Sequence, residues 1–371
     1  MDLFDELILN PINFSDDILT PVEKRLIFDL WIRSIPFTSL MPTRPILALV
    51  GEPGSGKSLA LSKLMKLLFG SRADVIDVPR DKRDFATIVS NMAFAPLDNV
   101  DSPNKWLEDA LATSATGANY SVRKLYTTNT MVEFPLNAII ALASHNPHFR
   151  RSDVADRLLV LRLERIPKNA FIAASELSQA VINNRAELLR LLFERFQEVI
   201  KAFQQTKHLD AGIFKTNFRM ADFATLALRW AIHVDRESEV ETILDKMSQE
   251  QTEFTLEGDE IVDLLELYVN KNDGKISGIT GPDLFMALKK LADEENRPFS
   301  INKPASFSQY LKNLIPWLER DYKITIRKQG GRRRYLTFVK RTDPSEREHS
   351  ANDDNAENNC DNTDNSDSPP F

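Results

Sequence analysis

The chain has 371 residues, 42% of them hydrophobic, which is room for about two or three domains and excludes a wholly disordered chain. It has no apolar run of about 18 residues and opens on the acidic MDLFDELILN, so neither a membrane span nor a secretory leader is expected. The single cysteine, Cys360, excludes an internal disulfide or a cysteine-based metal cluster and points to a reduced, cytoplasmic setting.

The net charge of −7 hides an asymmetry, because residues 342–371 hold nine acids against the lone base Arg347 while residues 274–341 hold fifteen Lys/Arg against six Asp/Glu. A basic module followed by an acidic, nearly apolar-free tail points to nucleic acid for the first and disorder for the second. In chain order, 20–35 reads as a helix, with Thr20 as N-cap, Pro21 at the first position and Glu23 closing a capping box. Ile46 to Val50 reads as a buried strand, and a helix runs from Lys57 until Gly70 stops it. Strand and helix then alternate: 73–79 strand, 83–91 helix, 92–100 strand, 104–115 helix, 137–146 strand and 157–166 strand. The segments 121–126 and 130–134 read as a hairpin set between them. Such alternation predicts an α/β fold, a mostly parallel sheet with helices on both faces. Residues 169–270 are helical in pattern, and from 280 two helices and two strands follow, with Pro316 expected to kink or end the second helix.

Residues 51–58, GEPGSGKS, match G-x-x-x-x-G-K-[ST] between a predicted strand and a predicted helix. In such a loop the backbone N–H groups of Gly51, Glu52, Pro53, Gly54, Ser55 and Gly56 (proline excepted) turn towards a phosphate at the positive end of the helix. Lys57 then reaches the β- and γ-phosphates and Ser58 offers its hydroxyl to Mg²⁺, so binding of ATP or another nucleoside triphosphate is expected. The metal needs an acid at a neighbouring strand tip; Asp98 fits, with a turn residue as the bland alternative. Where a second acid is usual stands Asn99, leaving Asn99 or Asp101 to handle water. Asn146 at a strand end is a candidate for the space between metal and γ-phosphate, or a plain cap. Arg157 is a candidate for a neighbouring subunit's γ-phosphate and Arg219 for folding over the nucleotide; surface ion pairs are the alternative for both.

The order of these pieces resembles the AAA+ ATPases of phages and mobile elements, near the helicase modules of phage primase–helicases and superfamily 3 helicases. The resemblance is carried by GEPGSGKS, PRDKRDFATIVSN, the strand ending LDNVDS, WLEDALATSATGANYSVRKLYTTN, the ASHN strand end, SDVADRLLVLRL and RMADFA, within roughly residues 46–230. It implies a nucleotide held by Gly51, Gly54, Gly56, Lys57 and Ser58, with Mg²⁺ at Asp98. Asn146 would be first sensor, Arg157 the trans-acting arginine and Arg219 second sensor, in a hexameric ring with nucleotide between subunits. It also implies a channel hairpin that grips DNA, here bearing Arg123 and Lys124, although an ordinary surface hairpin remains open. The missing second acid puts turnover in question, and the roughly 45 residues ahead of the core leave no room for a priming module. The implied activity is an ATP-driven DNA helicase or translocase in replication of a phage or mobile element. The rival readings are an ATP-switched loader or initiator and a DNA-tethered adaptor.

Residues 280–340 look like a winged helix, with Lys312, Arg327, Lys328, Arg332, Arg333 and Arg334 making mostly phosphate contacts, or else a protein–protein module. The tail ends Asp367-Ser368-Pro369-Pro370-Phe371 and resembles the acidic, Pro-Phe-terminated tails of bacterial single-stranded-DNA-binding proteins. That implies recruitment of a host replication protein; shielding of the basic wing and a plain solubilising tail are the alternatives. The expected division is an N-terminal helical extension (1–45), a P-loop AAA+ core (46–168), a helical lid (169–272), a winged helix (273–341) and a disordered acidic tail (342–371).

Overall fold

The computed structural model describes residues 2–101, 105–123, 130–145, 152–256, 259–319, 321–329 and 333–341. It divides into two compact units, Met1–Glu257 and Gly258–Phe371.

The first unit is built on five parallel strands in the order β2-β3-β6-β1-β7: β1 (Ile46–Gly51), β2 (Ile76–Asp77), β3 (Phe94–Asp98), β6 (Ile139–Ser144) and β7 (Leu158–Leu163). β1 is buried along its length because both neighbours pair with it, Leu47 opposite Ala141 on β6 and Ile46 opposite Leu158 on β7. Side chains alternate across a strand, so Leu47 and Leu49 enter one apolar cluster while Ile46, Ala48 and Val50 enter another. Such a strand reads as an unbroken apolar run because both faces are covered.

The capping box before α1 (Pro21–Ser34) forms as its sequence demands, with Thr20 and Glu23 satisfying each other's backbone N–H. α2 (Lys57–Phe69) ends at Gly70, whose φ of 97° takes the chain out of the helix. α3 (Lys82–Ser90) and α4 (Lys105–Ala115) flank β3, and β4 (Asn119–Arg123) pairs antiparallel with β5 (Met131–Pro135) as a separate two-stranded sheet. α5 (Ser152–Ala155) precedes β7, and then come α6 (Ala174–Asn183), α7 (Arg185–Thr206), α8 (Ala221–His233) and α9 (Glu237–Leu256). The strand expected over 73–79 shrinks to the two residues of β2. It is the edge strand and its residues are half-buried or exposed, so little packing extends it.

Residues 2–19 pack into the body of this unit: Phe4, Ile8, Leu9, Ile12 and Phe14 are buried, and Phe14 bridges Leu163 at the β7 edge. Arg195 on α7 pairs with Asp2, Asp5 and Asp29, and Arg33 pairs with Asp29 and Glu198. These ion pairs join the chain start, α1 and α7, and the carboxylates compensate the desolvation of two nearly buried guanidinium groups.

The second unit contains α10 (Glu260–Lys271), β8 (Lys275–Thr280), α11 (Gly281–Glu294), α12 (Pro304–Leu318), β9 (Tyr322–Gln329) and β10 (Arg333–Lys340). Its antiparallel sheet has the order β8-β10-β9. β8 is a strand that sequence reading does not anticipate, and α10, expected at the end of the preceding helical region, falls in this unit. α12 runs two residues past Pro316 to Leu318. The proline removes one hydrogen bond in the last turn, where buried Leu314 and Leu318 hold the helix against its own unit. Among the described residues no helix is long and apolar enough to cross a membrane.

One buried cation offers a test of this packing. Lys63 is 3% exposed and its Nζ donates to the Leu7 carbonyl at 2.6 Å, while burial pulls its pKa down to about 8. Between about 8 and the unfolded value of 10.5 the folded state binds fewer protons than the unfolded one, so stability rises with pH through that window. Measured by urea unfolding, the stability of the unaltered protein relative to Lys63→Met is predicted to climb from pH 7.5 to 10, by no more than about 3 kcal/mol. A flat difference would contradict a buried ammonium.

Candidate functional site

β1 delivers the chain to the C-terminal edge of the sheet, and the loop Gly51 to Gly56 turns it into α2. Two constraints explain the glycines. A Cβ on Gly51 would stand 2.3 Å from the Leu163 carbonyl oxygen, so β7 can approach only a glycine there. Gly54 and Gly56 have φ of 85° and 87°, the left-handed region that side chains resist. Ser55 between them is buried, and its N–H donates to the Glu52 carbonyl at 3.2 Å.

Lys57, the first residue of α2, folds its ammonium over this loop, donating to the carbonyls of Gly51 at 2.5 Å and Glu52 at 3.0 Å and to Ser55 Oγ at 3.3 Å. These acceptors are neutral. Burial lowers the Lys57 pKa, with the Asp101 and Asp98 carboxylates acting against that fall. Next along the helix, Ser58 Oγ donates to Asp98 Oδ1 at 2.8 Å, joining the start of α2 to the tip of β3. Asn99 follows with φ of 56°, a left-handed conformation that asparagine tolerates better than most residues.

Asp101 does a different job. Its Oδ1 accepts from Ser144 Oγ and from the His145 backbone N–H, each at 2.6 Å, and so ties the segment after β3 to the end of β6. His145 thereby stands beside the loop, with Nδ1 3.4 Å from the Gly51 carbonyl oxygen. Lys57, Ser58, Asp98, Asn99, Asp101 and His145 border one cavity of about 210 Å³ together with loop residues Pro53, Gly54 and Gly56. The donor set suits a metal-bound polyphosphate: an ammonium on neutral acceptors, glycine backbone at a helix start, and a hydroxyl–carboxylate pair. His145 has no motif of its own in the sequence. Its only signal is its position at a strand end, next to Asn146.

Asn146, Lys124, Arg332 and the tail 342–371 with Pro370 and Phe371 lie outside the described residues, and only the backbone of Arg123 and Arg333 is described, in β4 and β10. Arg157, just before β7, donates to the Asp153 carbonyl and lies 3.4 Å from that residue's carboxylate. Arg219, at the approach to α8, pairs with Asp156, whose carboxyl is pushed up by burial despite the opposing pull of Arg219. The two arginines therefore share one acidic corner and are not among the residues bordering the cavity.

In the second unit Lys312, Arg327, Lys328 and Arg334 are exposed. Arg334 is opposite Lys328 and Leu336 opposite Ile326, so these four share one face of the β9–β10 ribbon, whereas Arg327 and Tyr335 take the other. Lys312 and Arg334 border a groove of about 590 Å³ with Leu311, Ile315, Ile326 and Leu336. Like charges opposite each other on a ribbon are destabilising. The fold brings Lys312, Lys328 and Arg334 together and separates Arg327 from them.

With this geometry in view, comparison with known proteins is informative at one level. The family model described as actinomycete integrative conjugative element replication protein matches residues 36–244, more than half of the chain. The chain belongs to this family. It is thus a replication protein of mobile genetic elements, and the matched region runs from the residues before β1 into α9. No curated protein matches it. Among solved structures, it is similar to an apo structure of the NrS-1 C-terminal region at 14% identity and a TM-score of 0.42, covering 91% of this chain and 76% of that one. An A-form apo structure of the same region gives 15% identity and a TM-score of 0.39, with 91% and 75% covered.

For this integrative-element replication protein, the Asp101 clasp yields a direct prediction. Asp101→Ala removes the acceptor of Ser144 Oγ and of the His145 N–H. It is predicted to destabilise the first unit by about 1–2 kcal/mol in urea, whereas Asp101→Asn, which keeps an Oδ1 acceptor, retains most of the stability. Equal losses in both would show that charge rather than the clasp matters.

Proposed function

We propose that this replication protein is an ATP-driven DNA translocase or helicase of the AAA+ type, with the glycine-rich loop as its phosphate loop. The observation that carries this reading is the 2.8 Å hydrogen bond from Ser58 to Asp98 beside the Lys57 ammonium. It joins a hydroxyl at a helix start to an acid at a neighbouring strand tip, as a metal–triphosphate site requires.

Ser58 and Asp98 are the residues that would hold Mg²⁺, which when bound neutralises charge on the β- and γ-phosphate oxygens. Lys57 releases its backbone acceptors and binds the same phosphates, while the loop amides orient them. Asn99 and Asp101, which border the same cavity, are the groups that would handle water, and Asp101 also keeps His145 in place. Arg157 and Arg219 act at a neighbouring subunit's nucleotide or over this one, in each case after exchanging Asp153 or Asp156 for phosphate. In a ring of such subunits, the β4–β5 hairpin meets DNA in the channel. The helical region after β7 serves as the lid. The second unit serves as a winged helix that engages DNA phosphates through Lys312, Lys328 and Arg334, adding affinity and salt dependence rather than sequence readout.

One feature favours a second reading, an ATP-switched loader. Asn99 occupies the place of a second acid, and Asp101 already accepts two hydrogen bonds. Steady-state ATP hydrolysis with and without single-stranded DNA separates the two. The motor predicts turnover that DNA stimulates several-fold and that Lys57→Ala abolishes, together with strand separation on forked DNA. Slow, DNA-insensitive turnover in a protein that assembles on DNA with ATP supports the switch. Turnover unaffected by Lys57→Ala would overturn both.

A further inference from the structure

Strand order fixes which way a nucleotide runs across the loop. β1 lies between β6 and β7, with β3 beyond β6. Ser58's partner Asp98, together with Asp101 and His145, comes from β3 and β6 or the segments that leave them. The metal-binding end of a triphosphate therefore points to that flank, and the nucleoside end leaves towards the opposite flank, where β7 ends.

On that flank the chain folds back over the loop. The Ile166 N–H donates to the Gly54 carbonyl at 3.3 Å. A Cβ placed on Gly56 would stand 3.4 Å from Ile166 Cδ1, and one on Gly54 would stand 3.7 Å from Arg165 Nε and 3.9 Å from Phe171 Cζ. Phe171 is 51% exposed and the adjacent Ile172 is 55% exposed. The tip of the Phe171 ring thus comes close to a loop glycine while half of the residue stays in water, which leaves an apolar ring available on the flank where a base would leave the phosphates.

We propose that Phe171 is the base-stacking residue of this site and that it takes a nucleobase by its π-face rather than by its hydrogen-bonding edge. This rests on the nucleotide reading above and adds the nucleoside subsite to it. Stacking on an aromatic ring tolerates any base, so the ligand class is a nucleoside triphosphate with weak base preference.

The test is calorimetric titration of the full chain with two magnesium-bound ligands: a non-hydrolysable ATP analogue and inorganic tripolyphosphate, which lacks the nucleoside. Phe171→Ala is expected to weaken the ATP analogue roughly tenfold and leave tripolyphosphate unchanged, with Phe171→Trp restoring affinity. Lys57→Ala is expected to weaken both ligands. Unchanged ATP-analogue affinity in Phe171→Ala, or equal weakening of both ligands, would overturn the proposal while the nucleotide reading stands. If the unaltered protein binds neither ligand, the nucleotide reading falls and the subsite with it.

Discussion

Burial of β1 on both faces and between two parallel neighbours is the constraint from which the candidate site follows. A strand paired on both edges cannot shift register without moving Leu47 and Leu49 into the cluster that now holds Ile46, Ala48 and Val50. Parallel pairing also brings the C-terminal ends of β1, β3, β6 and β7 to one edge of the sheet. The loop, Lys57, Ser58, Asp98, Asp101 and His145 all lie at that edge, whereas Arg157 and Arg219 lie where β7 begins. Gly51 must be a glycine because β7 lies against it, and Lys57 and Ser58 stand at a helix start because the loop has room for only a tight turn. Binding at the carboxyl ends of parallel strands is a general outcome of this architecture. Here the hydrogen bonds Ser58–Asp98 and Asp101–Ser144 fasten the start of α2 to the tip of β3 and the segment after β3 to the end of β6.

Local signals in the sequence were readable wherever one segment determines its own structure. The capping box at Thr20 and Glu23, the run Ile46 to Val50, the stop at Gly70 and the motif GEPGSGKS each state their conformation within a few residues. Features set by distant partners were not readable. Residues 2–19 look like an acidic extension, yet their apolar side chains are buried, and Asp2 and Asp5 pair with Arg195, some 190 positions away. β8 contains Gly278 and buries only Ile276, so nothing local marks it as a strand until β10 pairs with it.

The candidate site shows the same division. Lys57, Ser58 and Asp98 were legible because spacing and flanking elements specify them. His145 was not, since its role comes from Asp101 reaching across from the end of another strand. The sequence also gave no sign that Arg157 and Arg219 would sit in one corner with Asp153 and Asp156, because that pairing depends on how α8 approaches the segment before β7. Each of the two arginines is thus held by a carboxylate of the segment that leads into β7. The basic set of the second unit divides for a simpler reason: strand alternation sends Arg327 to the face opposite Lys328 and Arg334.

Membership of a mobile-element replication family gives the biological setting, and the loop geometry gives the chemistry proposed within it. The central claim is that Ser58 and Asp98 form a metal site for a bound triphosphate. The most direct measurement is the affinity of a non-hydrolysable ATP analogue with and without Mg²⁺, in the unaltered protein and in Asp98→Asn. The account predicts that Mg²⁺ strengthens binding in the unaltered protein and that Asp98→Asn loses this increment while keeping its metal-free affinity. An increment of equal size in both proteins would contradict it.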